Sequence, residues 1–270
     1  MKREKINGFH NGKETLFSIL CLVLGIFVWS CSSESKVRPE PWVTNAISEW
    51  PDFVLTNEIS FADTVLKDVV NSFLIDTCED TLAVSTKHLF MVFDGRFGIH
   101  SIDMGDQFNY WKMYPKNRPD KVITTARMIN TNPNEPIGEF NTLKSRDWIL
   151  FDLQDMRDDL YPLKIRYEPV KKDEIVYAVG WSAGESDNNE PVIIELQCFQ
   201  PMGNYFYTQT ITPNVDPRGR SGSAVIDQNG YLVGIVSGAE GNLGVIGSVD
   251  YLREIFNQYG VLYQTSYPVK

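Results

Sequence analysis

The sequence predicts an all-β fold of two packed β-barrels, closed off by one C-terminal helix. Three observations carry this expectation. Short runs rich in β-branched and aromatic residues recur along the chain at the spacing of a barrel or sandwich. Turn residues punctuate them, at Asp94-Gly95, Asn132-Pro133-Asn134, Asp187-Asn188-Asn189 and Asn229-Gly230. The runs also form two sets, divided near residue 168.

The N-terminus stands outside that pattern. Lys2, Arg3 and Lys5 precede an apolar stretch from Leu16 to Trp29, too short to read as a membrane span. It ends at Ser30-Cys31, and polar Ser32 to Ser35 follow. This resembles a bacterial lipoprotein signal over residues 1–31, which implies a lipid on Cys31 after cleavage. An uncleaved anchor helix is the alternative. In either case the body of the protein is expected outside the cytoplasm, in the cell envelope, periplasmic or surface-facing. Residues 32–55 carry Pro39, Pro41 and Pro51 among polar residues and read as a tether. The folded domain is then expected over 56–268.

Within it, the first set of strands is expected at 69–75, 82–85, 90–93, 121–129 and 148–153. The second set falls at 175–179, 192–199, 205–211, 224–226, 231–236 and 244–248. A helix is predicted over 249–259. Leu252, Ile255 and Phe256 give it an apolar face, Asp250 sits near its start, and Gly260 ends it.

The chain has 270 residues and a formal charge of -10. Past residue 31, 21 basic and 33 acidic residues remain. Such a surface repels phosphate backbones, so nucleic acid is not an expected partner. Of four cysteines only Cys78 and Cys198 fall in the domain, and their pairing is left open. No clustered Cys/His pattern suggests a metal, and no cofactor is expected.

The chemistry centres on Gly219-Arg220-Ser221-Gly222-Ser223-Ala224. A serine hydroxyl becomes a useful nucleophile only beside a base and an oxyanion site. Glycines around Ser221 let the backbone turn sharply, and the N–H groups of Gly219 and Ser221 are spaced to serve as oxyanion donors. By itself the motif is also what a Gly/Ser turn between strands looks like. The continuation decides between the two: an apolar strand, the Asn229-Gly230 turn, then Gly234-Ile235-Val236-Ser237-Gly238.

These residues resemble the nucleophile region of trypsin-like, chymotrypsin-fold serine proteases, and the resemblance spans roughly residues 65 to 260. It implies a triad in the chain order His, Asp, Ser. His88 closes Leu82-Ala83-Val84-Ser85-Thr86-Lys87-His88, similar to the family's strand that ends in its catalytic histidine; His100 has no such context. Lys87 stands where the family has a small residue, and its charge is expected to lower the basicity of His88. Asp147, before the strand Trp148 to Leu153, resembles the family's aspartate; Asp152 competes with it, and Asp103 and Asp106 are weaker alternatives. The resemblance further implies that Ser237, Gly238 and Gly244 line the substrate pocket. Counting back from Ser221 puts the pocket base at Val215, favouring an apolar side chain. One residue of slippage gives Asp216 and a preference for Arg or Lys. Arg220 replaces the aspartate that in digestive members pairs with a newly cut N-terminus, so that activation route is not expected.

The implied function is a serine endopeptidase acting on protein or peptide substrates and held at a membrane by its lipid. A non-catalytic surface binding protein on the same scaffold is the alternative, and an esterase a lesser one.

Overall fold

Two six-stranded barrels dominate the structure, a computed structural model that describes residues 38–155, 157–185 and 189–265. The expected signal, Cys31 and the turn at Asp187-Asn188 lie outside the described residues. The described residues from Pro39 onward form one compact unit.

The first barrel is built from β1 (Leu55–Phe61), β2 (Thr64–Asp76), β3 (Thr81–Ser85), β5 (Phe108–Tyr114), β6 (Ile123–Met128) and β8 (Ile149–Leu153). Their order is β1-β5-β6-β8-β3-β2, and the β1–β2 pairing closes the ring. A short strand β9 (Leu163–Lys164) adds to β2 in parallel. Two further short strands, β4 (Ser101–Ile102) and β7 (Asn132–Pro136), pair with each other. The second barrel closes in the order β10-β11-β12-β15-β14-β13. Its strands are β10 (Ile175–Gly180), β11 (Val192–Pro201), β12 (Tyr205–Thr210), β13 (Ala224–Ile226), β14 (Leu232–Glu240) and β15 (Leu243–Ser248). Full closure leaves neither barrel with an open edge, which is how antiparallel sheets of this size avoid pairing with other chains.

Alternation of burial supplies the cores. Leu55, Ile59, Phe61, Trp111, Met113 and Phe151 fill the first barrel, and Val176, Ile194, Leu196, Phe206, Val225 and Val233 the second. A third cluster joins the barrels through Phe73, Val84, Trp148, Leu150, Val179, Trp181 and Ile235. The helix at Val249–Tyr259 docks Leu252, Ile255 and Phe256 there. Ser248 Oγ accepts from the Asp250 N–H at its start, and Gly260 ends it at φ 71°.

Two expectations change. The run 90–93, expected as a strand, lies in helix α1 (Leu89–Phe97). Leu89, Phe90 and Phe93 are buried while Met91 and Val92 are exposed, a helical rather than an alternating pattern. A second short helix, α2 (Phe140–Leu143), precedes Asp147, so the C-terminal helix becomes α3. The tether expected through residue 55 is packed chain from Glu40 onward. Trp42, Phe53 and Val54 are buried. Trp42 covers the Asn229-Gly230 turn, and buried Glu40 binds Lys164 Nζ at 2.8 Å and the Tyr161 hydroxyl. Pro41 opens a 3₁₀ turn over Pro41–Thr44 that buries Trp42, and a second turn, Ile47–Glu49, follows it, so the segment is not a free spacer. Cys78 and Cys198 are not joined by a disulfide.

Candidate active site

His88 follows β3 and is the residue before α1; Asp147 sits just before β8. Strands β3 and β8 are hydrogen-bonded neighbours, so their ends bring the two residues together. Asp147, fully buried, grips His88 twice. Oδ2 lies 2.7 Å from Nδ1 of the ring and Oδ1 accepts the His88 backbone N–H at 2.8 Å. With Nδ1 so engaged, Nε2 is left as the nitrogen that can accept a proton. Burial works against the imidazolium, but the charge and hydrogen bond of Asp147 outweigh it and raise the His88 pKa above its usual 6.5. The expected lowering by Lys87 is thus overridden by the carboxylate in direct contact. The competitor Asp152 points to the surface and pairs with Arg127 Nε at 3.0 Å. His100 is exposed and pairs with Asp94.

Ser221 lies in the loop between β12 and β13. Two glycines there are obligatory. Gly219 has φ 78° and Gly222 φ 79°; a Cβ on Gly219 would strike the Ala183 backbone, and one on Gly222 would strike the Asn71 carbonyl. The Arg218 carbonyl is anchored by the Ala183 N–H at 2.8 Å, and the Arg220 carbonyl by the Ser223 N–H at 3.0 Å. Trans peptides then aim the Gly219 and Ser221 N–H groups away from those anchors. Among the described residues, neither N–H donates a hydrogen bond within the protein. Ser221 Oγ, likewise, is not hydrogen-bonded to His88 among the described residues.

Asn71 on β2 is the residue that sequence reasoning missed. Its buried side chain crosses to the second barrel, where Nδ2 donates to the carbonyls of Gly219 and Trp181, both at 3.0 Å. Its Oδ1 accepts the Trp181 N–H at 2.9 Å, and its own N–H donates to the Ser221 carbonyl at 2.7 Å. Nothing local in the sequence marks it, since its partners lie more than 100 residues away: 110 to Trp181 and 148 to Gly219.

The residues expected to shape a pocket occupy different environments. Val215 is half-buried against the second core. Asp216 is locked by Arg218, whose guanidinium holds its pKa down at about 2. Ser237 is buried, and its hydroxyl and the Trp148 indole both lie against Gly247. Gly238 lies under the Phe140 ring, which also meets His88 edge-on at 6.1 Å between centroids. Gly244 on β15 faces the Thr208 hydroxyl. Lys144 reaches across from the first barrel to Glu240 at the end of β14, at 2.5 Å, and to the Tyr207 hydroxyl at 3.1 Å. Arg220 turns inward, its Nε on Ser182 Oγ at 3.0 Å and its Nη1 on the Val192 carbonyl at 3.1 Å.

Two closed six-stranded barrels with a C-terminal helix constitute the chymotrypsin-like fold. Among solved structures, the chain is similar to the Rv3671c protease of M. tuberculosis in its active form. The TM-score is 0.51 and the identity 17%, over 87% of this chain and 91% of that one. The inactive form of the same protease matches with a TM-score of 0.51 and 15% identity, over 83% of this chain and 98% of that one. No family model and no curated protein sequence matches.

Proposed function

We propose that this protein is a serine endopeptidase that cleaves protein or peptide substrates through an acyl-enzyme, with His88, Asp147 and Ser221 as its triad. Ser221 Oγ attacks the carbonyl carbon of the scissile peptide while its proton passes to His88 Nε2. The N–H groups of Gly219 and Ser221 take the oxyanion. The C–N bond then breaks, the amine leaves with the proton from His88, and an ester to Ser221 remains. Water attacks that ester, gives a proton to His88, and releases the acid as the proton returns to Ser221. Asp147 holds the ring tautomer and stabilises the imidazolium. The observation that supports this reading best is the double grip of Asp147 on His88, beside a nucleophile loop whose two glycine positions admit no side chain.

A fluorophosphonate probe tests it, because such probes label only a serine activated by a base and an oxyanion site. The wild-type chain takes the label at neutral pH, Ser221→Ala takes none and His88→Ala almost none. A folded wild-type chain that stays blank, before and after limited proteolysis, sinks the protease reading in favour of a binding scaffold. We further propose that a lipid on Cys31 holds the domain at a membrane outside the cytoplasm. Cys31→Ser then fails to be processed or leaves the membrane fraction; unchanged fractionation and size would refute this.

A further inference from the structure

We propose that Lys87, Glu135 and Arg146 form a charged clamp behind the His88–Asp147 pair, which fixes both residues and biases the imidazole toward its neutral form. The inference rests on the reading of His88 as the general base. Its geometry is independent of that reading.

Lys87 immediately precedes His88, and Arg146 immediately precedes Asp147. Both cations converge on one carboxylate oxygen. Lys87 Nζ lies 2.9 Å from Glu135 Oε1, and Arg146 Nη1 binds the same atom. Arg146 also donates to the carbonyls of Pro136, Ile137 and Thr142. Glu135 on β7 therefore ties the backbone just ahead of each dyad member to a third segment. Lys87 is 1% exposed. A buried ammonium is costly unless paired, and an apolar side chain of the same length would fill the space without that cost. Stability alone is thus a poor account of a lysine here.

The charges explain it better. While Lys87 is protonated, two cations and one anion leave the clamp with one net positive charge. That charge opposes a second positive charge on His88. Burial pulls the Lys87 ammonium down to about 7, Arg146 pushes the same way and Asp147 opposes. The Glu135 carboxylate 2.9 Å away is the counter-charge in direct contact with the ammonium. From the helix packed behind, Tyr251 contributes only its ring, 5.8 Å from Lys87 Nζ. Phe140 on the other side of His88 carries no charge.

The test is an NMR titration of the His88 ring in the full chain, with His100 as an internal control. It needs no substrate, so it stands whether or not the protein labels as a hydrolase. Lys87→Met leaves the clamp neutral and raises the His88 midpoint by roughly half to one pH unit. Adding Glu135→Gln restores one net positive charge and brings the midpoint back toward wild type. Lys87→Arg stays near wild type. A purely structural role predicts instead that the double variant departs further than the single one, and that result would overturn the proposal. So would a Lys87→Met midpoint that does not move. Should Lys87→Met fail to fold, the double variant and Lys87→Arg decide: either one displaced upward by as much as half a unit refutes the charge argument.

Discussion

Asn71 offers the sharpest test of how the barrels build the site. Its side chain makes three hydrogen bonds to backbone groups of the second barrel, two to Trp181 and one to Gly219. Asn71→Ala deletes all three and leaves a buried N–H and two carbonyls without these partners. A net contribution of about 1 kcal/mol per bond, with a further penalty for orphaned buried groups, puts the loss at roughly 3–6 kcal/mol. Many domains have only about 5–15 kcal/mol to lose, so the variant sits near the edge of folding at room temperature. The functional effect has a separate cause. The Gly219 carbonyl held by Asn71 fixes the loop that carries the proposed oxyanion donors, and losing one such donor typically costs about 100-fold or more in rate. Asn71→Asp sharpens the distinction. It retains the acceptor for Trp181 but sets a carboxylate against the Gly219 carbonyl. Equilibrium denaturation measures the first effect, and the rate of fluorophosphonate labelling under folded conditions measures the second. The reasoning fails if Asn71→Ala costs less than about 1 kcal/mol. It also fails if Asn71→Asp is folded and labels at the wild-type rate.

Asp147→Asn lowers the labelling rate by up to about 10⁴-fold, because the ring tautomer is no longer held, whereas Asp152→Asn at the surface changes it little; equal losses would reassign the orienting residue. Labelling rises with pH through a midpoint above 6.5, since His88 acts as a base only when neutral and Asp147 raises its pKa; a midpoint below 6.5 contradicts that sign. Phe140→Ala uncovers Gly238 and the face of His88, and peptide-library cleavage then admits larger side chains beside the scissile bond; an unchanged profile removes Phe140 from the cleft. A chain beginning at Leu55 loses buried Trp42, Phe53 and Val54, each worth about 1.5–3 kcal/mol, and fails to fold or melts far below the full domain; a melt within a few degrees would restore the tether reading.

The legible parts of this protein were those encoded over a few adjacent residues. The second-barrel strands announce themselves by apolar alternation and by the Asn229-Gly230 turn. The C-terminal helix is written in Leu252, Ile255 and Phe256 with a cap at each end. The nucleophile loop is written in glycines because only glycine fits the positive φ and the crowding at Gly219 and Gly222. Illegible parts depended on partners far along the chain. The run Leu89 to Phe93 is apolar enough for either a strand or a helix, and only the site it packs into chooses helix. Strands β1 and β5 were missed because Asn57, Asn109 and Lys112 break up their apolar pattern; Asn57 is buried there to bond Trp111 Nε1 at 2.7 Å. Prolines at 39, 41 and 51 suggested a free linker, and nothing nearby revealed that Trp42 has a turn from residues 229–230 to cover.

The same division runs through the candidate site. Each proposed reacting group occupies a local context that proximity in sequence can specify. The relations between them are fixed by side chains from elsewhere: Asn71 spanning from β2 to the nucleophile loop, Phe140 wedged between His88 and Gly238, Glu135 joining the residues ahead of His88 and Asp147. This arrangement has a physical consequence. A substitution at Phe140 or Glu135 shifts orientation or charge while every proposed reacting atom remains, so its effect appears as a changed pH midpoint, specificity or labelling rate. Asn71 carries a share of fold stability as well, so its variants are read from denaturation and rate together. Substitutions at His88, Asp147 or Ser221 are expected to behave the other way, removing a proposed reacting group while the barrels hold their shape. The two sets of variants can thus be told apart by measuring fold and rate together. A support residue whose loss mimicked His88→Ala in a fully folded chain would have to belong to the reacting set.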